Sequence, residues 1–160
     1  MKRALTPFLL TVAASGRTVL AQADPRPAVA PPVDIEVSGM VPVHDGLPAR
    51  LCVGADNEIR VTLSQRGITA QKPASLRLVL VLPGGPRQGA LFAEGSANLQ
   101  PGNAVTTYTF AHIEIAARLR GRGARLVARA NADGTIDERN LTNNERELRI
   151  DDATDWSCHR

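Results

Sequence analysis

The residues whose types could do chemistry are Cys52 and Cys158, His44, His112 and His159, and the Asp- and Asn-rich run from Asn131 to Asn144. The histidines are scattered. Cys158-His159 is a single pair with no second pair at finger spacing, so a zinc site is not expected. No G-x-S-x-G, H-E-x-x-H, P-loop or dinucleotide fingerprint occurs. A triad assembled only in space leaves no mark in a sequence, but few Ser or His residues stand in informative contexts. No catalytic residue and no cofactor is therefore nominated, and an enzyme of unrecognised type is the remotest alternative. Two cysteines in an exported chain suggest one disulfide, with two independent thiols as the other reading.

The run 131–144 calls for its own explanation. A long connection must satisfy its own backbone polar groups. Asp133, Asp137, Asn140, Asn143 and Asn144 can do this, because short Asp and Asn side chains bond nearby main chain. Asp133-Gly134 supplies a turn, and Ile136 and Leu141 are the apolar residues that could pin the loop down. The same oxygens raise a calcium alternative on Asp133, Asp137 and Glu138. An EF-hand loop needs Gly at its sixth position and Glu at its twelfth, and neither is met from Asn131 or Asp133. An internally bonded structural loop without metal is the expectation.

The elements that hold this loop are strands. Arg125–Ala130 places Leu126, Ala128 and Ala130 on one face, and Glu145–Ile150 follows as a polar-sided strand. Glu58–Ser64 alternates, with Ile59, Val61 and Leu63 inward. Leu76, Leu78, Leu80 and Leu82 share one face of a central strand that Pro83-Gly84-Gly85-Pro86 ends. Asp34–Val37 opens a first strand, and Leu91-Phe92 suggests a short edge strand. From Ala104 to Ile115, Tyr108 and Phe110 point one way and Ile113 and Ile115 the other. A bulge near Ala111-His112 would turn both pairs inward, and a short helix over 113–120 is the rival reading, with Leu119 as a plug. Strands at this spacing predict an all-β immunoglobulin-like sandwich of about seven strands. In such a sandwich the second strand starts at the pole where the last one ends, which brings Cys52 and Cys158 together. Trp156, in the tail before Cys158, is then expected to cover the sandwich end.

Ile136, Glu138, Asn140, Asn143 and Asn144, behind Asp133-Gly134, resemble the closing motif of the bacterial CARDB domain. Asn131 stands where that family usually has Asp, Leu141 where it usually has Glu, and Gly134 replaces an Asn. The first two departures each remove a carboxylate, which weakens the calcium alternative. The resemblance extends over roughly residues 33–151. It implies an immunoglobulin-like sandwich with this segment between its last two strands, and a module related by name to cell adhesion. Asn140-Leu141-Thr142 is also a glycosylation sequon, read as incidental in a bacterial protein.

Residues 1–23 read as a secretory signal: Lys2 and Arg3, an apolar run from Ala4 to Ala14, and Ala21-Gln22-Ala23 as the cleavage site. The apolar run is too short to span a bilayer, and no other segment could. Residues 24–33, with Pro25, Pro27, Pro31 and Pro32, read as an extended linker, and residues 34–160 as the domain. The full chain holds 19 Lys+Arg against 16 Asp+Glu, but Lys2, Arg3 and Arg17 leave with the signal and no acid does. The mature chain is formally neutral, so its charge gives no support for nucleic-acid binding. The cluster Arg118, Arg120, Arg122, Arg125 and Arg129 reads as a solvated face. Aromatic residues are too few for a sugar-binding platform. The expected protein is a periplasmic or extracellular, non-catalytic module that binds a protein or surface polymer. A calcium-stabilised envelope module is the first alternative.

Overall fold

The computed structural model describes residues 32–158. The expected signal segment, most of the linker and His159 lie outside the described residues.

Strands β1 (Asp34–His44), β2 (Leu47–Pro48), β3 (Leu51–Cys52), β4 (Asn57–Ile68), β5 (Lys72–Val81), β6 (Ala90–Leu99), β7 (Gly102–Ile113), β8 (Arg125–Ala130), β9 (Glu145–Arg149) and β10 (Thr154–Asp155) follow one another. A 3-10 turn, Ala117–Leu119, and a one-turn helix α1, Ile150–Ala153, interrupt them. Two four-stranded sheets form, ordered β2-β1-β4-β7 and β6-β5-β8-β9, with a small parallel β10-β3 pair at one end. This is an immunoglobulin-like β-sandwich.

The alternation read from the sequence sets the core. Ile59, Val61 and Leu63 of β4 face Leu76 and Leu78 of β5 and Leu126 and Ala128 of β8 in one buried cluster. In β1 the register shifts between Val37 and Gly39, so Val37 and Met40, three residues apart, both point inward. The β7 bulge is where the sequence places it. Asn57 pairs Ile113 while Ile59 pairs Phe110, so Ala111 and His112 stand opposite Glu58 alone, one residue in excess. His112 takes φ 58 there, and Phe110, Ile113 and Ile115 are all buried. The rival helix survives only as the turn Ala117–Leu119, and Leu119 is buried as the expected plug.

Two expectations are corrected. Leu80 is only half-buried and Leu82, past the end of β5, is 45% exposed. The alternation of β5 is unbroken against β8, and the β5–β6 register shift places its extra residue, Phe92, in β6. Val79 and Val81 are buried on the outer face with Val127, so the strand is apolar on both faces as expected, but its inner face ends at Leu78. The short edge strand at Leu91-Phe92 is a ten-residue strand, β6. Its small and polar residues pack on one side only near its end, at Ala97 and Leu99, so no apolar period announces it.

Candidate functional site

The connection between β8 and β9 runs from Asn131 to Asn144 and centres on Glu138. Glu138 Oε2 accepts from Ile35 N at 2.8 Å. Its Oε1 accepts from Asn131 Nδ2 at 2.6 Å and from Asn144 Nδ2 at 2.7 Å. Asn131 also closes a ring on Ile136: Nδ2 donates to Ile136 O at 2.6 Å, and Ile136 N donates to Asn131 Oδ1 at 3.0 Å. Asn143 Nδ2 reaches Asp34 Oδ1 at 3.2 Å, and Val37 N donates to Asn143 O at 3.0 Å. One carboxyl group thus ties the start of β1 to both ends of the loop. Ile136 is buried as expected. Leu141 is 66% exposed and pins nothing, because the polar bonds already fix the loop on either side of it.

Asp133 works at the surface. Ser75 Oγ donates to its Oδ1 at 2.7 Å, and Thr135 Oγ1 at 3.1 Å. The Ser75 hydroxyl, with Thr135 assisting, holds the Asp133 carboxyl below its ordinary value, against a smaller opposing effect of burial. Gly134 holds φ 67 and donates its N–H to Asn131 O at 2.9 Å, the turn expected of Asp133-Gly134. Asn140 Oδ1 accepts from Thr142 N and Oγ1, and Asp137 is exposed. No three Asp, Glu, His or Cys side chains gather to hold a metal ion among the described residues.

At the opposite pole Cys52 and Cys158 are bonded, with Cα atoms 5.1 Å apart. Cys52 lies on β3, whose pairing with β10 sets Asp155 opposite it, and Cys158 follows three positions after Asp155. Arg50 Nη2 clamps the pair from outside, donating to Asp152 O at 3.1 Å and Thr154 O at 3.0 Å. From inside, buried Asn57 accepts from Cys52 N at 2.7 Å and donates through Nδ2 to Cys52 O, Ala55 O and Ile113 O. Its two N–H bonds serve three carbonyls, so one is shared. Ser157 Oγ and N both donate to Asp155, whose carboxyl is held low mainly by that hydroxyl. Trp156 is half-buried against the core, with the Arg120 guanidinium 5.8 Å from its ring centre. His112 Nδ1 lies 2.8 Å from Asp56 Oδ2, both exposed, and His44 sits elsewhere beside Asp45, so the two histidines among the described residues do not converge.

The outer face of the β6-β5-β8-β9 sheet was not singled out by the sequence. Val79, Val81 and Val127 form its apolar middle. Cross-strand pairs flank them: Arg77 Nε with Glu94 at 2.9 Å, Arg125 Nη1 with Glu147 at 3.0 and 2.8 Å, and Arg129 Nε 2.7 Å from Glu145. The last contact rests on charge, because its N–H is not aligned for a hydrogen bond. Arg129 also donates to Gln88 O at 3.1 Å and Arg87 O at 2.9 Å, fixing the β5–β6 connection over the sheet. The recess there encloses about 340 Å³. The alternation of β8 and β9 contained this ladder, but the pairing depends on register, which one strand alone does not reveal.

No protein-family model and no curated protein matches this sequence. Among solved structures, the chain is similar to the CARDB domain of a Pyrococcus furiosus protein crystallised in complex with di-metal ions. The TM-score is 0.51 and the identity 18%, over 73% of this chain and 90% of that one. A solution structure of the same domain matches with TM-score 0.46 and 18% identity, over 74% of this chain and 93% of that one. The fold is therefore CARDB-like, in agreement with the resemblance that the loop residues carry. Among the described residues, no helix is long and apolar enough to cross a membrane.

Proposed function

We propose that this chain is an exported, non-catalytic immunoglobulin-like module that binds a protein or surface polymer of the bacterial cell envelope, as an adhesion or accessory component. The likeness to a CARDB domain carries this reading. Two features are consistent with it. The Glu138 carboxyl group, central to the loop, is spent on holding the fold rather than being left free for substrate. The cysteines are paired, as suits an oxidising compartment.

The bonds already made by the loop carboxylates disfavour the calcium alternative on Asp133, Asp137 and Glu138. Glu138 gives both oxygens to amide donors, and the Asp133 Oδ1 faces Ser75 and Thr135. A calcium-stabilised module would show a melting temperature that rises with calcium, and none is expected.

Capture tests the reading. The immobilised chain should retain a defined component from an envelope extract of the producing cells and turn over nothing in a hydrolase panel. Mass spectrometry of the recovered protein should place Asp24 at its N-terminus. An intact Met1 on a cytosolic protein would sink the export half of the reading, and turnover in the panel the non-catalytic half.

A further inference from the structure

The loop between β8 and β9 holds four asparagines, and three of them give their side-chain N–H groups to the fold. Asn131 Nδ2 and Asn144 Nδ2 donate to Glu138, and Asn143 Nδ2 donates to Asp34. Asn140 differs. Its Oδ1 accepts from Thr142 N at 3.0 Å and from Thr142 Oγ1 at 2.7 Å, while its Nδ2 donates to no described residue. The backbone sets this residue apart as well. Arg139 N donates to Val33 O and Val37 N to Asn143 O, each at 3.0 Å. Residues 140–142 therefore arch outward between two ties to residues 33–37, and all three are exposed.

Asn140-Leu141-Thr142 is the one Asn-x-Ser/Thr triplet in the chain, and Glu138 adds the acid two positions ahead that bacterial acceptor segments carry. As a bare triplet it is incidental. The fold places it on the asparagine of the loop whose amide nitrogen can take a covalent substituent without breaking a bond. Beside it lies a recess of about 290 Å³ lined by Pro32, Asp34, Arg66, Arg139 and Asn140. Arg66 and Arg139 have no carboxylate partner among the described residues, so their N–H groups are open to sugar hydroxyls.

We propose that Asn140 is an N-glycosylation site, modified during export by transfer from a lipid-diphosphate-linked oligosaccharide. This rests on the export half of the proposed function. A bond forms between Asn140 Nδ2 and the anomeric carbon of the first sugar. The bond from that carbon to the diphosphate oxygen breaks, and its electron pair leaves with the lipid diphosphate. One Nδ2 proton passes to a base of the transferase. Transfer precedes closure of the loop, while Glu138 is not yet bonded to Ile35, Asn131 and Asn144. In the folded chain the first sugar lies over the recess, and the bonds around Glu138 are kept. A bulky, solvated substituent suits this exposed arch and no other asparagine of the loop.

The test is mass spectrometry of the chain recovered from the producing cells, read on the peptide that spans residues 140–146. Expected is a mass raised by a run of sugar residues, with fragmentation placing them on Asn140. Asn140→Gln and Thr142→Val should abolish the increment, and Thr142→Ser, which keeps the hydroxyl, should retain it. Circular dichroism verifies that each variant is folded. Sugar carried on Thr142 Oγ1, or an increment that survives Thr142→Val, overturns the proposal. So does an unmodified Asn140, and the N-terminus of the same sample then separates two failures. A chain that begins at Asp24 leaves the export reading standing, whereas an intact Met1 removes both.

Discussion

Glu138 is the residue on which the β8–β9 connection depends. Glu138→Ala leaves Ile35 N, Asn131 Nδ2 and Asn144 Nδ2 without their acceptor. A buried donor left unpaired costs about 1–3 kcal/mol, and water reaches part of this site, so a loss of about 3 kcal/mol is expected in denaturant unfolding. Leu141→Ser, in the same loop but exposed, should stay within about 0.5 kcal/mol of the parent. Equal effects would mean that Glu138 is not the hub. Acid adds a second, smaller signature. Asp133 and Asp155 both hold carboxyls below the ordinary value of 3.8, each chiefly through a serine hydroxyl. A depressed folded value stabilises above the unfolded value and is lost as pH falls through the folded one. Stability should therefore decline below pH 3.8, and Ser75→Ala should return the Asp133 titration midpoint, followed by NMR, toward that figure. A midpoint unmoved by Ser75→Ala would contradict the assigned cause. The Asp and Asn types of this loop were legible in the sequence. The choice of Glu138 over Asp137 as its centre was not, since Ile35 N comes from a strand 103 positions away.

At the scale of elements, period-two alternation showed strands wherever one face meets the core, as in β4 and β8. It failed for β6, whose inner face is fully buried only at Ala97 and Leu99 and is interrupted at Gly95, where the Tyr108 ring takes the place of a side chain. Tyr108 occupies the space a Cβ on Gly95 would need, so any side chain there must displace the ring or part β6 from β7. Gly95→Ala is expected to cost about 1–3 kcal/mol through overpacking. Tyr108→Ala should also destabilise, but the double variant by less than the sum, since removing the ring frees the space. Strict additivity in a double-mutant cycle would show that the two do not touch. The β7 bulge was legible because two apolar pairs on opposite faces demanded one extra residue. The bulge at Ser38 of β1 was not, because the mismatch there involves only Val37 and Met40. Asn57 was missed for a similar reason. Its partners Cys52, Ala55 and Ile113 converge only once β3, β4 and β7 are assembled.

For the whole molecule, the Cys52–Cys158 bond spans 106 positions and staples the tail to the start of the domain. Chain-entropy reasoning puts a loop of that size near ~4.7 kcal/mol, while measured bridges more often deliver about 2–4 kcal/mol. Reduction should lower the melting temperature and move Trp156 fluorescence toward that of a solvated indole, as the ring leaves the core and Arg120. An unchanged emission would mean that α1 and β10 hold Trp156 without the bond. The pairing was readable from strand order alone, because a sandwich returns its last strand to the pole where its second begins. A partner is not readable in this way. Its identity depends on surfaces made by register and edge exposure, which no local pattern of residues encodes.

Binding to the envelope is the property proposed for this chain. The deciding measurement is a titration of the labelled, disulfide-intact chain onto envelope preparations from the producing cells, with an unrelated immunoglobulin-like domain as control. Saturable binding that unlabelled chain competes away, and that the control lacks, is the expected result. Retention that rises linearly with concentration, or equals that of the control, would contradict a binding module.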